Sequence, residues 1–282
     1  MARLNNKVAV ITGGCSGIGR ATVDLFLAEG ARVIIADIQD ERGAALAAAH
    51  PGQAHYQRCD VTDEAQIAAT MQAAVDVFGA LDIVFNNAGA GGALETIEDM
   101  SARLWDQTQV LLLRSVAMGI RHAVPHMKAR GGAIVNTASV AAFEAGDAPI
   151  AYSVAKAGVV HLSLVAAAEL ARYGIRVNAV CPGFMLTDIF TTSYGISGNA
   201  AAQAKAGMEA ASPQAQPLAI PGAPSHIAEA CLYLASDAAA FVTGTHLLVD
   251  GGLTIGPRHS WDPATPSGIR SVLEKAMAAT QV

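Results

Sequence analysis

Short β-branched runs alternate with long Ala-rich segments from one end of this chain to the other. The runs at 8–11, 33–36, 83–85, 133–135, 177–180 and 247–249 are almost wholly apolar. Strands that are apolar on both faces belong in a parallel sheet covered by helices on both sides. The segments 17–30, 63–78, 103–129 and 152–172 are each long enough for three or more helical turns. Strand–helix alternation of this kind implies right-handed crossovers. The expected fold is α/β: a single-domain, Rossmann-type, doubly wound parallel sheet of about seven strands with helices on both faces. Two stretches break the rhythm. The first, about 184–224, holds the bulky Phe184, Met185, Ile189, Phe190 and Tyr194 among small residues, and is expected to be a lid or an interface arm. The second, after residue 255, carries Trp261 and a short amphipathic segment ending near Met277. The expected organisation is one catalytic domain over 1–255, including the lid, and an extension over 256–282 that forms no separate domain.

Composition narrows the function. Of the 282 residues, 52% are hydrophobic and 15% charged, with a formal net charge of −6. A large core is therefore possible, and a nucleic-acid or anionic-membrane surface, which calls for clustered Lys and Arg, is not expected. No run approaches the roughly 18–20 apolar residues of a membrane helix. Met1 leads into the first strand without an apolar signal core, so a soluble, cytoplasmic protein is expected. Cys15, Cys59, Cys181 and Cys231 lack short spacings and read as small buried residues. The histidines show no metal-ligand spacing, and no metal is expected.

The first βα turn reads Thr12-Gly13-Gly14-Cys15-Ser16-Gly17-Ile18-Gly19. Glycine lets the backbone turn sharply and approach a pyrophosphate, and the helix start offers free N–H groups and positive dipole. Asp37, ending the second strand 18 residues past Gly19, can accept both hydroxyls of an adenosine ribose. A helix cap or turn role is the alternative. A carboxylate there would repel the 2′-phosphate of NADP, and no Arg or Lys is expected nearby to welcome it, so NAD is the expected cofactor. Asp60, followed by Val61, can bond the adenine amino group or cap the next helix.

The fourth strand ends in Asn86-Asn87-Ala88-Gly89, the fifth in Ala138-Ser139. A later helix opens with Tyr152-Ser153-Val154-Ala155-Lys156, and the sixth strand ends in Cys181-Pro182-Gly183, with Thr187 shortly after. In this order and at strand ends, these motifs resemble the short-chain dehydrogenase/reductase family over about residues 4–255. Tyr152 and Lys156, four apart, share a helix face. A phenol with pKa near 10 is a poor base at neutral pH, and a neighbouring ammonium together with a positive nicotinamide ring would lower it. The resemblance implies Tyr152 as general acid/base, Ser139 as stabiliser of the substrate oxygen, and Lys156 as both ribose ligand and tuner of Tyr152. It also implies that Asn87, Ala88 and Gly89 pass beside the cofactor, and that Pro182, Gly183 and Thr187 hold the carboxamide. Ser139 as a strand-end cap and Tyr152 as an interface aromatic remain the simpler alternatives.

One position departs from the family pattern. Leu112 stands where many members carry an Asn that supports a water-linked proton path, so protons are expected to reach Tyr152 and Lys156 by another route. Around the site, Gly91 to Leu94, Val140, Phe143, Ile150, Met185, Ile189, Phe190 and Tyr194 are candidate pocket walls, nearly all apolar. A hydrophobic secondary alcohol or its ketone is the expected substrate. Two other functions compete with the dehydrogenase. An epimerase or dehydratase on the same fold would use Glu144 or Asp147 as an extra acid or base, and a non-catalytic NAD-binding protein would turn nothing over. The resemblance also implies a homotetramer packed through the helices at 103–129 and 152–172.

Overall fold

The computed structural model describes residues 2–146 and 148–280; Asp147 lies outside the described residues. Seven strands form one sheet: β1 (Val8–Thr12), β2 (Arg32–Asp37), β3 (Ala54–Arg58), β4 (Ile83–Asn86), β5 (Gly132–Thr137), β6 (Ile175–Pro182) and β7 (His246–Val249). Their order is β3-β2-β1-β4-β5-β6-β7, and every neighbouring pair is parallel. The chain winds outward from β1 to β3, returns to lay β4 on the other side of β1, and then winds the opposite way. The crevice between the carboxyl ends of β1 and β4 is thus a topological switch point, where such sheets bind ligands.

Among the described residues, ten helices accompany the sheet: α1 (Gly17–Ala28), α2 (Asp40–Ala48), α3 (Glu64–Phe78), α4 (Ala102–Gln109), α5 (Ser115–Met127), α6 (Ile150–Leu170), α7 (Ile189–Ser193), α8 (Gly198–Ala211), α9 (Pro224–Ala235) and α10 (Gly268–Thr280). Two apolar clusters fill the space between layers. Val8, Val10, Ile34 and Ile134 meet α3, α5 and α6 on one face. Ala9, Ile11, Ile35 and Phe85 meet α1 and α9 on the other. The central strands are buried on both faces, as their unbroken apolar runs require. At the edges, β3 is half-buried, and β7 exposes His246 and Leu248 while Leu247 and Val249 pack inward.

The segment expected as one helix over 103–129 is α4 and α5 joined by a wide turn, Val110–Arg114, in which Ser115 N–H reaches back five residues to Val110 O. Such single wide turns recur at functional sites. All four cysteines are buried and free. α6 with its 3₁₀ extension comes nearer to a membrane span than the sequence reading allowed. Ile150–Tyr173 is long and apolar enough by length and composition, at a mean hydropathy of 1.5. Its buried face packs on β5 and β6, and it carries Lys156 inward. The lid region holds α7 and α8. α8 has no buried residue and is tied to the start of α7 by an exposed ion pair, Lys205 to Asp188 at 2.9 Å.

Candidate active site

The glycine turn is built by close backbone approach. Gly13 has φ +67°, and a Cβ there would meet Ala88 Cα at 2.9 Å. A Cβ on Gly19 would strike the carbonyl oxygen of Gly13. The turn and the Asn87 strand end are therefore pressed together, and Thr12 joins them. Its hydroxyl oxygen accepts from Asn87 N (2.9 Å) and Ala88 N (3.0 Å) and donates to Phe85 O (3.4 Å). Asn87 Nδ2 donates to Thr12 O at 3.0 Å. Thr12 escaped the sequence reading; a hydroxyl on the last strand residue before a glycine turn was the signal available.

The residues fit a dinucleotide. α1 starts at Gly17 with Ile18 and Gly19 in its first turn; its N-cap, Ser16, makes no side-chain bond to the helix, and the first turn carries no acid. Its N–H groups and dipole thus face the crevice uncancelled by the chain's own carboxylates. Asp37 is buried beside the turn. It accepts from Cys15 N (2.9 Å), Ile38 N (2.8 Å) and Gln39 N (3.1 Å). Its turn role and its place at the cofactor end are therefore compatible. One premise of the cofactor argument needs correction: a cation does stand close in space. In the first turn of α2, Arg42 Nη1 donates to Oε1 of the cap residue Gln39 at 2.8 Å, two residues from Asp37. Asp60 Oδ1 accepts from Thr62 N and Oγ1 at 2.9 and 2.7 Å, making a turn, with the buried Val61 between them. The cap of α3 is Asp63 instead.

Ser139, Tyr152 and Lys156 converge beyond the end of β5. Ser139 Oγ accepts from Ala141 N at 3.2 Å, so it does cap the short turn that follows, and its hydroxyl lies beside the Tyr152 phenol. Lys156 Nζ lies 5.5 Å from the Tyr152 ring centroid and donates to Thr137 O at 2.7 Å. Burial sets the ionisation of both. It holds the Tyr152 pKa above its ordinary value, opposed by the Ser139 hydrogen bond. It brings Lys156 down to about 8, against a small opposing pull from Cys181. The expected lowering of Tyr152 by Lys156 is therefore not a property of the polypeptide alone, where desolvation outweighs the pull of the Ser139 hydroxyl. Cys181 itself is pushed up to about 12 by burial.

The sixth strand delivers its residues to the same end. Pro182 pairs with Val249, and a Cβ on Gly183 would lie 2.7 Å from Asp250 Cα. Thr187 sits over the glycine turn, its Cγ2 3.4 Å from where a Gly17 Cβ would be. Gly89 meets Leu112, whose Cδ2 lies 3.0 Å from a Cβ built there. Leu112 is fully buried at the middle of the wide turn.

The apolar wall is partly as expected. Val140 is buried in the turn after Ser139. Gly91 touches Ser193 of α7, bringing the β4–α4 loop to the lid. Phe190 of α7 stacks near Phe184 with centroids 4.7 Å apart, and Ile189 opens the same helix, partly buried. Two assignments are corrected. Met185 is buried in the apolar cluster that holds Ile227 and Cys231, with its thioether against Gly222 (Sδ 3.2 Å from a Cβ built there). Phe143 packs on His246 at 4.8 Å, covering the first residue of the edge strand β7, at the far end of that strand from the site.

Comparison with known proteins agrees with this geometry. Residues 13–254 match the family model described as enoyl-(acyl carrier protein) reductase. The chain is 40% identical to short-chain dehydrogenase reductase 3b of Arabidopsis thaliana, over 90% of this chain and 97% of the relative. It is 39% identical to a 2,5-dichloro-2,5-cyclohexadiene-1,4-diol dehydrogenase of Sphingobium indicum, over 90% and 99% of the two chains. With the mitochondrial (−)-isopiperitenol/(−)-carveol dehydrogenase of Mentha piperita it shares 38% identity over 90% and 96%. With its seven-stranded parallel sheet, its glycine turn and its convergent Ser, Tyr and Lys, the chain belongs to the short-chain dehydrogenase/reductase family, whose members typically use nicotinamide cofactors.

Proposed function

We propose that this oxidoreductase is NAD-dependent and interconverts a hydrophobic, ring-bearing secondary alcohol and its ketone. The observation that carries the reading is the convergence of Ser139, Tyr152 and Lys156 at one strand end beside an uncapped helix start. The cofactor supplies the hydride acceptor, or the donor in the reverse direction. Gly13, Ser16, Gly17, Ile18 and Gly19 would hold its pyrophosphate, Asp37 its ribose, Asp60 and Val61 its adenine. Asn87 to Gly89, with Pro182, Gly183 and Thr187, would flank the nicotinamide end. Tyr152 exchanges a proton with the substrate oxygen, and Ser139 donates a hydrogen bond to that oxygen as it gains alkoxide character. Lys156, fixed by Thr137 O, keeps its remaining donors for the cofactor ribose and the phenol.

Ile189, Phe190, Phe184 and Leu94 supply an apolar wall, which favours a hydrocarbon ring over a phosphorylated or carboxylated substrate. Relatives named for a cyclohexadiene diol and for carveol support the same class. Preference for NAD rests on Asp37, with Arg42 as the cation it must outweigh. Assembly as a homotetramer accords with the exposed apolar Val154, Leu164 and Val165 of α6. The test is NADH formation with a panel of hydrophobic secondary alcohols, with NAD and NADP in parallel. Turnover with NAD is expected, falling about 10²–10⁴-fold in Tyr152→Phe with cofactor binding retained. Undiminished turnover in that variant would remove Tyr152 as the proton-transfer group.

A further inference from the structure

Helix α6, which carries Tyr152 and Lys156, is tied into the sheet by polar bonds at two levels. One is Lys156 Nζ to Thr137 O. The other lies two turns along the same buried face, where Ser163 Oγ accepts from Asn136 Nδ2 at 2.9 Å. Ser163 donates its one hydroxyl proton to Val159 O at 2.7 Å, so its oxygen has only acceptor capacity left. That turns the Asn136 amide nitrogen toward the helix and its oxygen toward Asn86, whose Nδ2 donates to it at 2.8 Å. The order of donors is fixed in one direction from β4 through β5 to α6. Asn136 and Ser163 are 0% and 1% exposed, within an apolar cluster that includes Val159, Ile134 and Ala166.

A polar chain in such a place needs a reason. Apolar residues of similar shape could be as stable, whereas any one unpaired amide costs about 1–3 kcal/mol. What hydrogen bonds add is direction, and a buried polar pair can set the register of two packed elements. Register needs setting here. Half of the buried face of α6 is alanine (Ala151, Ala155, Ala166 and Ala167), which packs without interlocking deeply, and only Val159 and Leu170 add larger apolar side chains. On the strand side, Asn136 lies one residue before Thr137 and three before Ser139. On the helix side, Ser163 lies seven residues, about 10 Å, beyond Lys156.

We propose that the Asn86–Asn136–Ser163 chain sets the axial register of α6 on β5 and thereby holds the Tyr152 phenol against Ser139. Ser163 and Asn136 are thus positioning residues for proton transfer. The inference rests on the reading of Tyr152 as the proton-transfer group. The titratable groups facing the pair are Lys156 on the same helix and Cys181 on β6, and neither touches the polar chain.

The experiment compares Ser163→Ala with Ser163→Thr, which keeps the hydroxyl. In Ser163→Ala, kcat is expected to fall about tenfold or more, because small misplacements of reacting groups carry such losses, while KM for NAD stays within about twofold. The pH–rate profile moves with it, and Ser163→Thr restores both. A second readout needs no turnover: in protein labelled with 3-fluorotyrosine, the ¹⁹F signal that vanishes in Tyr152→Phe reports the ionisation of Tyr152. That titration is expected to move in Ser163→Ala and return in Ser163→Thr. Should Ser163→Ala not fold, Ser163→Cys, nearly isosteric and a poor acceptor, takes its place in both readouts. Unchanged kcat, profile and titration, with only a lower Tm, would overturn the proposal. A moved titration in a protein that oxidises no alcohol would support it and refute the dehydrogenase reading instead.

Discussion

The two ends of the ligand crevice are built on different principles. The proposed cofactor end is made of main chain: Gly13 against Ala88, Gly19 against Gly13 O, and Asp37 accepting three backbone N–H groups. The proposed substrate end is made of side chains on a segment where α8 buries nothing and one exposed ion pair joins it to the start of α7. Backbone geometry admits few alternatives, so the first end tolerates little change. The second is free to vary, which is what a family that changes substrates over a constant cofactor requires.

Substitutions at the two ends should differ accordingly. Gly19→Ala is the largest expected effect. Its Cβ has no room beside Gly13 O, so cofactor binding should be lost, as calorimetric titration with NADH will show. Retained binding would mean that the glycine turn is softer than its contacts imply. Asp37→Ala should move the kcat/KM ratio from NAD toward NADP by about tenfold or more. It also strips three backbone N–H groups of their acceptor, so Tm falls as well.

Between the two ends lies Lys156, whose effect on stability depends on pH. Burial lowers its pKa to about 8 from an unfolded value near 10.4, so between those values the folded chain binds fewer protons than the unfolded one. Stability from this group therefore rises with pH across that window, and its cost is fully present below about pH 8. Lys156→Met should accordingly be at least as stable as the parent at pH 7 by thermal melting, with any advantage shrinking by pH 10, while activity is lost. A Tm deficit that is constant with pH would show that Lys156 is not held as a buried cation. The smallest effect is expected in the lid. Lys205→Ala removes an exposed ion pair worth under about 1 kcal/mol, so Tm should hardly move, and KM for the alcohol should change by a few-fold at most. A large change in KM would mean that α8 is a fixed wall.

The same contrast governs what the sequence made legible. The strand runs, the glycine turn and the Tyr152–Lys156 spacing were readable because periodicity and backbone constraint leave direct marks on residue type. The wide turn at Val110–Arg114 left none, since one extra residue in a helical turn hardly disturbs an apolar pattern. Met185 and Phe143 were placed by character alone, and an apolar residue after a strand can face the core, the pocket or an edge. Arg42 stands only five residues past Asp37, but that spacing does not say where its side chain goes; the bond to Gln39, the cap of α2, is what keeps it at this end of the helix. Asn86, Asn136 and Ser163 look like ordinary strand and helix residues until three elements are assembled around them.

The seam between β1 and β4 also fixes when the protein becomes competent during synthesis. Thr12 and Asn87 are 75 residues apart in the chain, so the glycine turn leaves the ribosome several seconds before the strand that braces it, at about 5–20 residues per second. Ser139 and Tyr152 follow later, and β7, which lies against the end of β6, comes nearly last. A nascent chain stopped at Thr137 would own a phosphate-binding turn but no proton-transfer group, and one stopped at Leu170 would lack the strands that seat the nicotinamide end. Competence thus arrives late and all together, and β6 and β7 have to be made before the proposed cofactor can act as a ligand that stabilises the newborn fold.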